Sequence, residues 1–224
     1  MQLNVVVAEA ALELVPSEIL KAPAVRNDAA RRGVDPARML LDRSLHHAAM
    51  LKLDEGHKRG RPDLVHAALL SLTGSPLYLD GLVKIYVHTR SDVVLDIREE
   101  TRLPKNYSRF RGLMEQALSG GGAGDLIRTH SASLKELLQI VKPDWVCGLS
   151  TEGHMEKLGD LASALVSRKN PCVVIGGFPH GHFSPGTLKL VDELVRIHRS
   201  PLETHVVAAR LLYEVELRLE EMKD

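Results

Sequence analysis

Aromatic residues are scarce in this chain. One Trp, three Phe and four Tyr make up 4% of its 224 residues, so its core has to be assembled from Leu, Val, Ile and Ala. Net charge is absent as well. Lys+Arg and Asp+Glu number 29 each, so bulk electrostatics single out no polyanionic partner, and any nucleic-acid site requires local segregation of charge. Only two cysteines are present, Cys147 and Cys172. Neither belongs to a CxxC pair or a zinc-ligand spacing, and each sits in an apolar run, which reads as two buried free thiols. No apolar stretch approaches the ~20 residues of a bilayer-spanning helix. The opening MQLNVVVAEAALELVP contains an acid and ends without a small-residue cleavage site, unlike a secretory leader. These absences predict a soluble, cytoplasmic protein. The length suits one sizeable domain, or one domain with a substantial insertion.

What is present is alternation. LNVVVAEAALEL begins as a buried strand of β-branched residues. SEILKAPAVRNDAARRG reads as helical pieces broken by Pro23 and closed by Gly33. ARMLLDRSLHHAAMLKL joins a short apolar run to a histidine-bearing polar stretch. RPDLVHAALLSLTGS is a helix, with Pro62 in its first turn, Asp63 at its N-terminus and Gly74 at its end. LVKIYVHT and DVVLDI are strands, and the polar turn RSD between them predicts a hairpin. A basic loop, REETRLPKNYSR, leads into the helix RFRGLMEQALSG. The glycine run SGGGAGD that follows is a hinge or loop tip, and not a phosphate loop, because no Gly-Lys-Ser/Thr comes after it. From residue 131 helices and apolar strands alternate regularly. ASLKELLQIVKP reads as helix, DWVCGLS as strand and loop, and HMEKLGDLASALVSRK as helix. PCVVIGG is a strand, SPGTLKLVDELVRIH a helix, and PLETHVVAARLLYEVELRLEEMKD a long closing helix. This predicts an α/β fold with a parallel sheet covered by helices on both faces.

Ligands in open α/β sheets sit beyond the carboxyl ends of the strands. Three loops qualify: GLST after Val146, GGFPHG after Ile175, and HRSPL between the last two helical segments. Gly176, Gly177 and Gly181 would let the backbone approach a ligand and offer its N–H and C=O groups. A tight strand-to-helix connection that binds nothing explains the same glycines. His180 and His182 flank Gly181, and His46 and His47 are adjacent, but no convergent carboxylate or cysteine spacing accompanies them, so no metal is expected. A second constellation is basic. HKRGRPD supplies Lys58, Arg59 and Arg61, and REETRLPKNYSRFRG supplies Arg98, Arg102, Lys105, Arg109 and Arg111. Tyr107, Phe110 and Asn106 lie among them, a mixture that suits phosphate contacts combined with base stacking. A solvated basic loop is the alternative. Asp63 either caps its helix or orients the Arg61 guanidinium, and both roles are compatible.

DRSLHHAAM, KRGRPDLVHAALL, GSPLY, VKIYVHT, RLPKNYSRFRGLMEQ and VVIGGFPHGHFS, in this order, resemble the ribosome-biogenesis pseudouridine-N1-methyltransferases. This is the nucleolar essential protein family of the SPOUT superfamily, and the chain looks like an archaeal member. The resemblance runs from about residue 3 to the C-terminus. It implies a single SPOUT domain over residues 1–224, a C-terminal trefoil knot and an RNA-binding extension around 75–112. It also implies a homodimer, S-adenosylmethionine as methyl donor, and a pseudouridine in a small-subunit rRNA hairpin loop as acceptor. Neither DNA nor a membrane is an implied partner.

By motif, the resemblance assigns cofactor binding to Leu149, Ser150, Gly176, Gly177, Phe178, Gly181 and the segment Ile197, His198, Arg199, Ser200, Pro201 and Leu202. RNA contacts fall to Arg61, held by Asp63, and to Arg102, Lys105 and Arg109. Lys105 departs from the arginine usual in many relatives, keeping the charge but losing the bidentate fork. No residue is assigned as the acceptor of the N1 proton. Asp63 is a candidate, although pairing with Arg61 would depress its pKa and make it a poor base. The closing helix carries Val206, Val207, Leu211 and Val215 at near-helical spacing, more apolar surface than a solvated terminal helix needs. Packing within the chain explains this as well as a dimer does, and the resemblance favours the dimer. Two alternatives share the basic loops: an rRNA-binding assembly factor with methylation secondary, and a SPOUT enzyme acting on tRNA.

Overall fold

Leu3–Ala10 forms the first strand, β1, and its side chains alternate between two buried environments. Leu3, Val5 and Val7 face the larger core, while Val6 and Ala8 face a second one on the opposite side. A strand buried on both faces belongs at the centre of a covered sheet. The computed structural model places it there, and describes residues 1–99, 101–120, 123–124 and 126–222. Gly121, Gly122 and Asp125 of the expected glycine hinge lie outside the described residues. So do Glu100 of the basic segment and Lys223 and Asp224 at the end of the chain.

The helices are α1 (Pro23–Arg32), α2 (Arg43–Met50), α3 (Pro62–Thr73), α4 (Pro76–Leu79) and α5 (Tyr107–Leu118), followed by α6 (Leu134–Val141), α7 (Leu158–Val166), α8 (Pro185–Leu188) and α9 (Thr204–Glu221). The strands after β1 are β2 (Val83–Thr89), β3 (Val93–Ile97), β4 (Ile127–Ser131), β5 (Trp145–Met155), β6 (Pro171–Gly176) and β7 (Glu193–Arg196). They form one sheet in the order β4-β3-β2-β1-β6-β5-β7. Local signals act as expected at several ends. Gly33 ends α1 in the left-handed region at φ 65°, and Pro62 opens α3. Helices α3, α5, α7 and α9 contribute to the larger core on one face, and α6 to the second core on the other.

Several expectations need correction or refinement. The sheet is not wholly parallel. β1 pairs in parallel with β2 and β6, and β5 with β6 and β7, but β3 and β4 run antiparallel at one edge. The hairpin reading of β2 and β3 holds, whereas β4 was not foreseen, since Ile127 is its one buried side chain. SPGTLKLVDELVRIH is not a helix. A single turn, α8, gives way to β7, because Val195 is fully buried opposite Leu149 in the ladder. Short apolar runs satisfy helical and strand periods alike, and here the free edge of β5 decides.

GLST is not a loop following Val146, and His154 and Met155 are not helical. Gly148 and Leu149 stay in the ladder, Ser150–Gly153 bulge from it, and His154 and Met155 rejoin it against Val195 and Arg196. Gly153 is needed at this bulge, where a Cβ would come within 2.5 Å of the Leu194 carbonyl oxygen. The apolar face of the closing helix is also accounted for within the chain. Val207, Leu211 and Val215 are buried in the core shared by α3, α7 and α9. Only Val206 of the four residues is partly exposed.

Candidate functional site

Three parallel strands, β5, β6 and β7, end side by side, and the chain leaving each of them walls a cavity of about 310 Å³. Leu149, Ser150 and Thr151 line it from β5. Ile175, Gly176 and Phe178 to Phe183 line it from β6. Val195 to His198 and Ser200 to Leu202 line it from β7, and Thr204 and Val207 close it from α9. Ten of the twelve residues assigned to the cofactor from sequence therefore share one cavity. The other two do not line it. Arg199 is exposed beside it, and Gly177 lies behind its wall.

Gly177 is required for packing. Its amide donates to Ala8 O and its carbonyl accepts from Ala11 N, both at 2.8 Å, and a Cβ would sit 2.7 Å from the Ala10 Cα. Gly176 does face the cavity. Its carbonyl accepts the Thr204 hydroxyl at 2.8 Å, which ties the start of α9 to the end of β6. Gly181 adopts φ 90°, a left-handed conformation that favours glycine. Lys58 fastens this loop from outside. Its Nζ donates to His182 O at 2.7 Å and lies 5.2 Å from the Phe178 ring centroid. Thr151, Thr204, Arg196, Pro179, His180, His182 and Phe183 were missed as site residues. The paired glycines mark where the β6 loop begins, but its depth and the threonines opposite depend on how three distant loops meet.

The histidines divide by role. His46 is buried and accepts a hydrogen bond from Asp42 N, while the adjacent His47 is exposed, so the two point apart. His180 and His182 are both exposed on the cavity loop. Among the described residues, the grouping close enough to share an ion is His154, Glu156 and Glu193, on the β5–β7 edge. The two thiols are buried and free, and burial pushes both up to about 12.

The basic constellation is only partly available. The Arg59 guanidinium is engaged by Glu13 at 2.8 and 2.6 Å, and Lys58 by the cavity loop. The stacking reading of the aromatics is corrected. Phe110 is fully buried against the His66 ring, with centroids 4.2 Å apart. The Tyr107 hydroxyl donates to Asp42 Oδ2 at 2.5 Å, and burial together with that carboxylate pushes its pKa well up. Arg102, Lys105 and Arg109 are exposed, with no ion-pair partner among the described residues. Their loop is pinned to α3 by His66, whose Nε2 is 2.7 Å from Pro104 O.

Arg61 immediately precedes α3, and its Nε and Nη2 both donate to Asp63 at 2.9 Å. Burial pushes the Asp63 carboxyl up, but its hydrogen bond and charge pairing with Arg61 outweigh this and leave it below the ordinary value. The structure thus brings Arg61 and the loop cations onto adjoining elements. The Arg61 amide donates to Ala11 O, next to the amide that binds the Gly177 carbonyl. Arg61 therefore abuts, at the end of β1, the backbone that supports the cavity wall.

Both the sequence and the backbone of this chain match known proteins. The chain is 40% identical to the ribosomal RNA small subunit methyltransferase Nep1 of Thermococcus kodakarensis, over 97% of this chain and 99% of that one. It is 42% identical to the Nep1 of Pyrobaculum neutrophilum, over 94% and 96%. The crystal structure of Archaeoglobus fulgidus Nep1 bound to S-adenosylhomocysteine matches with a TM-score of 0.86 and 38% identity, covering 99% of this chain and 100% of that one. With its sequence matched over residues 5–216 and its backbone over nearly its whole length, the chain belongs to the EMG1/NEP1 methyltransferase family.

Proposed function

We propose that this protein transfers a methyl group from S-adenosylmethionine to N1 of a pseudouridine in a small-subunit rRNA hairpin loop. The observation that carries this reading is the cavity at the ends of β5, β6 and β7, in a chain so similar to a relative solved with S-adenosylhomocysteine. Its residues fit the cofactor. Leu149, Phe178, Ile197 and Leu202 offer apolar surface to an adenine or a thioether, while Ser150, Thr151, Ser200 and the glycine-bearing backbone offer hydrogen-bonding groups. Its volume lies at the lower end of the roughly 300–1,000 Å³ of small-molecule sites. Bound there, S-adenosylmethionine supplies a methyl group activated by its sulfonium.

The protein's own contribution is orientation. The target base must leave its loop, at a cost of roughly a few kcal/mol and less in single-stranded RNA. Arg61, with Arg102, Lys105 and Arg109, holds the phosphates while the base turns toward the cavity, so that proximity and alignment supply much of the catalysis. Asp63 keeps the Arg61 guanidinium in place and, with its lowered pKa, is a weak base for the N1 proton.

The segment around 75–112 serves as the RNA-binding extension of a single domain. The C-terminal chain forms the trefoil knot of the SPOUT superfamily, which the return from β6 to β7 on the far side of β5 supports. The enzyme works as a cytoplasmic homodimer. Among the described residues no helix is long and apolar enough to cross a membrane. Val206, Ala209 and Tyr213 leave an outward stripe on α9 for a second copy. Mass spectrometry of a pseudouridine-containing rRNA hairpin incubated with enzyme and cofactor tests the reaction. A single added methyl on that nucleotide is expected, and methylation of the uridine-containing hairpin to the same extent would refute the N1 assignment.

A further inference from the structure

Next to the cofactor cavity, and sharing His182 and Phe183 with it, lies a larger cleft of about 1040 Å³. It opens beyond the carboxyl ends of β1 and β2, on the side of the sheet that carries α6. Its backbone is unusual. Of the four non-glycine residues in the left-handed region among the described residues, Glu9 (φ 50°), Glu55 (φ 46°) and Asp92 (φ 53°) line this one cleft. Such conformations cost of order 1–3 kcal/mol each and concentrate at functional sites. At Glu9 the register between β1 and β2 slips, so the strand bulges and its carboxylate turns into the cleft.

The charges are arranged asymmetrically. Each acid is held by the protein itself: Glu9 accepts from Ser184 N at 2.8 Å, Asp92 lies 2.9 Å from His88 Nε2, and Glu55 pairs with Arg90. Lys135, in the first turn of α6, and Lys189, just after α8, are exposed, with no ion-pair partner among the described residues. The same cleft also has an apolar lining, with Leu134 and Phe183 buried and Leu190 partly so. Two unpaired cations and an apolar lining suit phosphates bracketing a base.

The cleft also continues the basic surface. The amides of Arg61 and Arg90 donate to neighbouring carbonyls, Ala11 O and Ala10 O, and Lys58 lines the cleft while touching the cavity loop. A strand that passes Arg61 and delivers its base to the cavity thus meets this cleft next.

We propose that the cleft binds the single-stranded ribonucleotide segment flanking the target nucleotide, with its phosphates at Lys135 and Lys189. This rests on the RNA-methyltransferase reading above. The test compares ribo-oligonucleotides that end at the target with ones that run past it on either side, for the parent protein and a Lys135→Ala/Lys189→Ala variant. In the parent, extension on one side should tighten binding. The variant should lose that gain, and its salt slope for the extended oligonucleotide should be shallower by about 1.4, from roughly 0.7 per phosphate. Its affinity for the short oligonucleotide and for S-adenosylhomocysteine should match the parent's. If extension adds nothing to the parent, if the variant binds the extended RNA as the parent does, or if it weakens short and extended RNA alike, the proposal is overturned. A parent protein that binds no rRNA oligonucleotide at all overturns the RNA-methyltransferase reading, and this proposal with it.

Discussion

Arg61 and Asp63 act as one unit, because both guanidinium contacts of the pair go to the same carboxylate. Removing Asp63 frees the guanidinium from its orientation, and removing Arg61 leaves the carboxylate with nothing to orient. Arg61→Ala should therefore weaken rRNA binding and make the salt slope shallower by about 0.7. Asp63→Ala should do so in part, and the double variant should be little worse than Arg61→Ala alone. Filter binding across a salt series reads all three, and additive losses would mean that the two side chains work separately. The glycines allow a comparable separation. Gly176→Val places side-chain atoms at the cavity and should raise the dissociation constant for S-adenosylhomocysteine in calorimetry. Gly177→Ala drives a Cβ into the Ala10 backbone and should lower stability by about 1–3 kcal/mol, the usual range for overpacking. A Gly177→Ala protein as stable as the parent would contradict the close packing of β6 on β1.

Helices α1, α2 and α5 are joined by a chain of charged groups that is buried except at Arg31. His46 Nε2 lies 3.5 Å from Asp28, Asp28 pairs with Arg31 and Arg32, and Arg32 meets Glu115, whose other oxygen accepts from Leu40 N. Burial lowers the His46 pKa below its ordinary 6.5, outweighing the pull of Asp28. The unfolded chain therefore binds that proton more readily than the folded one, and stability falls as pH drops below 6.5 toward the depressed value. Asp28 extends the loss. Burial raises its pKa, but the Arg31 hydrogen bond and its cationic neighbours prevail and hold it below 3.8, so its contribution is present above that pH and disappears as pH falls further. Thermal melts from neutral to acidic pH should thus decline in two stages, and His46→Gln should remove the upper one. An unchanged upper stage in that variant would assign the proton elsewhere.

At the scale of the whole molecule, α9 has two faces with separate consequences. Its inner face completes the larger core with α3 and α7, so Leu211→Ala should cost about 2–5 kcal/mol, as buried Leu→Ala changes do, without altering the oligomeric state. Its outer face carries Tyr213, 59% exposed. Tyr213→Glu should leave the fold intact while shifting a dimer toward monomers, because it puts a charge where a second copy would pack. Light scattering at micromolar concentration reads both variants, and a parent protein that is already monomeric would refute the dimer.

Much of this was determined by the sequence alone. The apolar side chains of a run such as LNVVVAEA are all buried only between two covered faces, and Pro62 and Gly33 mark helix ends through their own backbone chemistry. The motif around Gly176 named residues that fold into one cavity, and the motif around Arg61 named the ion pair with Asp63. Tertiary structure decided what local pattern cannot. LVDELVRI became part turn and part strand because β5 offered a free edge, and the apolar stripe of α9 went inward because α3 and α7 lay beneath it. Tyr107 and Phe110, equally plausible as stacking platforms, were drawn into contact with Asp42 and His66, partners distant in the chain. The second cleft, built on strained Glu9, Glu55 and Asp92, left no trace in composition or spacing. Backbone conformation and the distribution of paired and unpaired charge exist only once distant segments have met.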